Sequence, residues 1–110
     1  RARRMEPVAA EALACGVPVL GTGWVLDCLE GVEPEEGSVM EVGYSLVDGP
    51  LEGTRWAEPE SSEMRRQLRR AVDESERARR AAGRTAPRIA ARLGWQAVAD
   101  RIIARLDAIA

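Results

Sequence analysis

Between Pro7 and Thr22 the sequence reads PVAAEALACGVPVLGT and changes character within three residues. Pro7 to Cys15 is rich in Ala and Leu, which favour helix. Proline suits a first helical turn, because its missing N–H would lack an intrahelical partner there anyway. Gly16 supplies a C-terminal stop. Val17 to Gly21 is then an apolar run of strand length, with Pro18 near its start, where a ladder donor can be spared. A helix, a tight glycine turn and a buried strand make the return half of a β-α-β unit. Within this apolar segment stands one carboxylate, Glu11, which must face solvent, cap a backbone group or hold a ligand.

The rest of the chain divides by composition. Trp24 to Leu29 is of a length for a short helix, and Gly31 to Gly37 (GVEPEEG) is an acidic, turn-rich surface loop. Val39 to Asp48 contains a second strand candidate centred on Tyr44 to Val47, followed by a loop, GPLEGTRWAEP, whose one bulky group is Trp56. Ser61 or Ser62 is placed to cap a helix, in which Met64, Leu68, Ala71 and Val72 form an apolar stripe. Ser75 opens another helix running to about Leu93, with Gly83 and Pro87 weakening its middle. A last helix follows Gly94, where Trp95, Val98, Ile102, Leu106 and Ile109 recur at intervals of 3, 4, 4 and 3 residues. Two strands cannot bury both faces of a sheet, so the pattern implies part of a larger α/β sheet. The expectation is an α/β fold, part of a Rossmann-like domain with few parallel strands. Strands and loops fill residues 1–60 and a long helical region fills 61–110.

The chain of 110 residues is long enough for one small domain. Its net charge of −2 gives no global electrostatic drive toward nucleic acid or an anionic surface. The charge is unevenly spread: residues 1–60 hold twelve acidic groups against four arginines, and residues 61–110 hold twelve arginines against six acidic groups. The halves can attract each other within one fold or present two faces to partners. All basic residues are Arg, and His and Lys do not occur. Imidazole general bases, Schiff-base lysines and Walker-type phosphate loops are thereby excluded. Cys15 and Cys28 have no partner set at zinc spacing, so no metal cofactor is expected, and Cys15 reads as a small buried hydrophobe. With no signal-peptide pattern and no bilayer-length apolar run, the expected compartment is cytoplasmic. The opening Arg-Ala-Arg-Arg-Met is read as the mark of a fragment or a misplaced boundary, and the chain as a fragment or a degenerate copy.

EALACGVPVLGT, followed by GTRWAEPESSEMRRQLRRAV and LGWQAVADRI, resembles the C-terminal end of a GT-B-fold glycosyltransferase of the family-4-like, group-1 kind. The resemblance spans roughly Glu6 to Leu106. It implies a nucleotide-sugar donor domain in which the glutamate opening the Glu-Ala-x-Ala segment accepts hydrogen bonds from the ribose hydroxyls. Glu11 occupies that place. A carboxylate offers two acceptor oxygens matched to a vicinal diol, and charge-assisted bonds are the stronger kind. The helix N-terminus beside it favours phosphate. A second family glutamate falls where this chain has Arg3, which leaves Glu6 as the only upstream carboxylate and a weak catalytic or donor-binding candidate. The implied partners are a nucleotide-sugar donor and a missing acceptor domain or full-length chain, with no metal and no turnover by this portion alone.

Each functional reading has a structural counterpart. Glu11 can simply be solvated, and Glu6 can be a carboxylate favoured by the helix dipole. Trp56 and Trp95 are expected to anchor their segments to the core. The arginines Arg65, Arg66, Arg69, Arg70, Arg77, Arg79 and Arg80 make a charged helix face, with phosphates or peripheral contact with an acidic membrane as the sharper reading. The alternative function is a non-catalytic interaction module using that helix and the acidic loop. Nucleic acid is not an expected partner, given the charge balance and the lack of interleaved aromatics.

Overall fold

The Ala-rich opening segment forms helix α1, Pro7–Ala14, in a computed structural model that describes residues 7–23, 29 and 31–110. Its end is a Schellman closure. Val17 N–H donates to Ala12 O (2.9 Å) and Gly16 N–H to Leu13 O (3.0 Å), with Gly16 at φ +74°. That left-handed conformation favours glycine, and a Cβ at Gly16 would also come within 3.7 Å of Gly83 Cα on a neighbouring helix. The reversed chain enters strand β1, Val19–Thr22, which pairs in parallel with β2, Val39–Val42, from Val19 opposite Val39 to Thr22 opposite Val42.

The second strand region is two strands. It breaks at Gly43, and β3, Tyr44–Asp48, turns away to pair antiparallel with β4, Arg55–Pro59. The segment expected as the loop GPLEGTRWAEP is therefore half strand. Its turn is closed by Gly49 N–H to Thr54 O (2.8 Å) and by Thr54 Oγ1 donating to Leu51 O (2.6 Å). The α/β class and the parallel pairing are as expected, but the described strands form two separate two-stranded sheets rather than one Rossmann-like sheet.

Three helices complete the order: α2, Ser61–Asp73; α3, Ser75–Leu93; and α4, Trp95–Ile109. The cap of α2 is the backbone of Glu60, with no side-chain capping bond, so neither Ser61 nor Ser62 caps it. Neither Gly83 nor Pro87 interrupts α3. Its buried face, Ala78, Ala81, Ala82, Thr85 and Ile89, follows the helical period. Small alanines allow close approach, so α3 packs against α1 while Ile89 joins Ala10, Leu13 and Leu29 in the core. Val19, Val32, Val39 and Leu93 border this cluster.

Several expected core groups lie elsewhere. Neither α2 nor α4 buries a residue, so the stripes at Met64–Val72 and Trp95–Ile109 are not core faces. Trp56 is 60% exposed on the hairpin and Trp95 90% exposed at the start of α4, so neither anchors its segment. Cys15 is exposed and free, because it follows the last helical residue on the solvent side of the Gly16 turn. Trp24–Cys28, expected within a short helix, lie outside the described residues, and Leu29 is fully buried. The radius of gyration is 16.4 Å, against about 13 Å for a compact chain of this length. The excess reflects a hairpin and a terminal helix that cover little of the core.

The attraction between acidic and basic halves takes a specific form. The Glu35 carboxylate of the acidic loop meets Arg84 Nε at 3.4 Å and Arg88 Nη2 at 3.1 Å, and Arg88 also donates to Glu33 O at 3.1 Å. These groups are partly solvated, so the pairs contribute modestly. Glu35→Gln is expected to shift the urea midpoint by no more than the equivalent of about 1 kcal/mol, with the shift shrinking in high salt. A larger, salt-insensitive loss would show that the loop is held mainly by that carboxylate.

Candidate functional site

Helix α1 puts Ala10, Glu11 and Ala14 along one wall of a groove. The opposite wall is Ile89, Ala90 and Leu93 from α3, and beyond the Gly94 corner Trp95 and Val98 from α4 close one end. The groove holds about 520 Å³, and among the described residues Glu11 is its one ionisable lining group. That volume lies within the range of small-molecule sites, which are typically apolar with a few placed polar groups.

The corner fixes the groove. Gly94 N–H donates to Ala90 O (3.0 Å), and a Cβ at Gly94 would fall 2.4 Å from that same carbonyl oxygen. Only glycine lets the chain turn so tightly between α3 and α4, and this turn carries the Trp95 indole to the groove. Trp95 was expected in the core. The signal for its actual place was Gly94 directly before it, since a tight corner leaves the next side chain outside the preceding helix.

Glu11 is exposed, and among the described residues no hydrogen bond or ion pair engages its carboxylate. Its backbone carbonyl accepts from Cys15 N–H (3.1 Å) at the helix end. Glu6 and Arg3 lie outside the described residues, so Glu11 alone of the two candidate site residues is placed. Among the described residues no arginine lines the groove. The described lining suits a flat, weakly polar body bearing hydroxyl or cationic groups at one edge.

The arginine cluster is divided between two helices, with Arg65, Arg66, Arg69 and Arg70 on α2 and Arg77, Arg79 and Arg80 on α3. Those on α2 border a solvent-open hollow along that single helix. Two are matched locally: Arg66 Nη2 to Glu63 at 2.6 Å and Arg70 Nε to Glu74 at 3.1 Å. Such i,i+3 and i,i+4 pairs are the ordinary behaviour of a charged helix surface. Among the described residues, no group of three or more His, Cys, Asp or Glu side chains could hold a metal ion. No helix there is long and apolar enough to cross a membrane.

No protein-family model, no curated protein and no solved structure matches the chain.

Proposed function

We propose that the chain is a donor-binding portion of a GT-B-type glycosyltransferase, in which Glu11 holds the ribose of a nucleotide sugar. The observation that carries this reading is that Glu11 lines an apolar groove which an exposed indole, Trp95, also lines. A nucleoside has an aromatic plane at one end and a vicinal diol at the other. The apolar wall and Trp95 suit the plane, and the two carboxylate oxygens suit the diol. The parallel β1–β2 pair entered from α1 through the Gly16 turn is consistent with a larger sheet of this class. An acceptor hydroxyl would attack the sugar's anomeric carbon in an assembled enzyme. This chain supplies the nucleoside contact, and the acceptor and pyrophosphate sites belong to other parts.

The interaction-module reading is less well supported, because the acidic loop is already docked on Arg84 and Arg88. The test is ligand-induced stabilisation. Nucleoside diphosphates at roughly 10 mM should raise the melting temperature of the chain, as any native-state ligand does. Glu11→Ala should weaken the apparent affinity on the order of 10- to 100-fold, the equivalent of losing one or two charge-assisted bonds. Its unliganded melting temperature should be unchanged, since the side chain is exposed. No stabilisation by any of the common nucleotides, or equal stabilisation of the variant, would overturn the assignment.

A further inference from the structure

Beyond Val98, which borders the groove, the apolar stripe of α4 lies open. Residues 101–110 are exposed throughout, and Ile102, Ile103, Leu106 and Ile109 each show more than half of their surface. Trp95 to Leu106 and Val98 to Ile109 both span eleven residues. An 11-residue period is about 3.67 residues per turn, so the stripe stays on one side of a nearly straight helix.

Charge is segregated around that stripe. Arg101 and Arg105 border the same shallow hollow as Val98, Ile102 and Leu106. At 100° per residue they fall roughly 60–100° from the stripe's centre, all on one margin, while Asp100 and Asp107 fall roughly 140–160° away. Asp100 is held on that far side by Gln96 Nε2 at 2.9 Å. The basic groups thus flank the apolar face and the acidic groups oppose it.

This asymmetry separates the candidate occupants. The spacing 3, 4, 4, 3 reads alike in both directions from Ile102, so a second copy could lie antiparallel on the stripe. The two-fold axis would then set the Arg101–Arg105 margin beside its own mate, a like-charge arrangement that costs stability. An anionic lipid surface meets the same pattern favourably. Apolar side chains enter the headgroup boundary, and arginine stems lie along them with guanidinium groups at the phosphates.

We infer that α4 is an interfacial helix whose Ile102–Ile109 face lies in an anionic bilayer surface, with Arg105 at the lipid phosphates and Arg101, whose Nη2 donates to Arg92 O at 3.1 Å, adding positive charge to the same margin. Trp95 shares the stripe but belongs to the groove at its other end, so this surface and the nucleoside site are separable. The test is flotation of the purified chain with vesicles of phosphatidylcholine alone or mixed with phosphatidylglycerol. Binding is expected only with the anionic mixture and should weaken as salt is raised. Arg105→Gln should weaken it about fivefold. The double variant Ile102→Ser and Leu106→Ser should abolish it while leaving the melting temperature intact, because both side chains are exposed. Absence of flotation with the anionic vesicles, or equal binding to neutral ones, would overturn the inference. So would a stable dimer in sedimentation that the double variant dissociates and vesicles do not disrupt.

Discussion

Leu13→Ala is expected to lower the melting temperature by about 15 °C, the effect of losing about 3 kcal/mol from a domain of this size. Leu13 is fully buried where α1 meets α3 and the parallel strands. Among the described leucines Leu29 alone is equally inaccessible, and Ile89 closes the cluster from α3. Truncation leaves a cavity that a cluster of only Ala10, Leu29 and Ile89, bordered by partly buried valines, has little side-chain volume to refill. A domain holds only about 0.05–0.15 kcal/mol per residue of net stability, so the loss is a large fraction of the whole. The check is thermal denaturation followed by circular dichroism. The predicted loss distinguishes this variant from Glu11→Ala, which should impair nucleotide response without lowering the unliganded midpoint. A Leu13→Ala protein melting within a few degrees of the parent would mean that the α1–α3 contact is not the stabilising core.

The helices and the core differ in how far the residues announce them. The segments Pro7–Ala14, Ser75–Leu93 and Trp95–Ile109 are evident from Ala and Leu content, from the stops at Gly16 and Gly94, and from apolar recurrence at helical period. What the recurrence cannot state is which stripe meets a partner. The strongest stripe, on α4, is largely exposed, whereas the buried face of α3 is made of three alanines, one threonine and a single large apolar residue, Ile89, which carry little periodic signal. A helix can pack closely only where its side chains are small, so low hydrophobic contrast marks the central helix here. Of the β3–β4 hairpin, β3 is legible as the strand candidate at Tyr44 to Val47, whereas β4 and the pairing were hidden for a related reason. The two strands alternate without a clear apolar face and are exposed along nearly their whole length, so the period-2 signal that follows from burying one face is weak. At the candidate site, Glu11 stands out as a carboxylate among small apolar residues. The groove around it depends on Ile89, Leu93 and Trp95, which lie about eighty residues along the chain and reach it only through the packing of α1 on α3.

Thr85→Val should destabilise the chain by about 1–3 kcal/mol despite keeping nearly the same volume. Thr85 is fully buried on α3, with its Oγ1 accepting from Glu35 N–H at 2.8 Å. Its own proton is shared between Ala81 O at 2.9 Å and Ser38 Oγ at 3.2 Å. Ser38 Oγ in turn donates to Glu35 O at 2.6 Å, and Ser38 O accepts from Val19 N–H at 2.9 Å. One hydroxyl therefore ties the acidic loop to the central helix and, through Ser38, to the first residue pair of the parallel sheet. Valine removes the acceptor and leaves the Glu35 N–H without its partner in a dry environment, which costs more than the bond itself contributes. Thr85→Ser keeps the oxygen and loses one methyl group, so it should be the milder change, and the ordering Thr > Ser > Val in urea midpoint is the diagnostic. Glu35→Gln probes the same loop through its exposed ion pairs and is expected to do far less. If valine equals or exceeds serine in stability, apolar packing rather than the hydroxyl network holds the loop against α3.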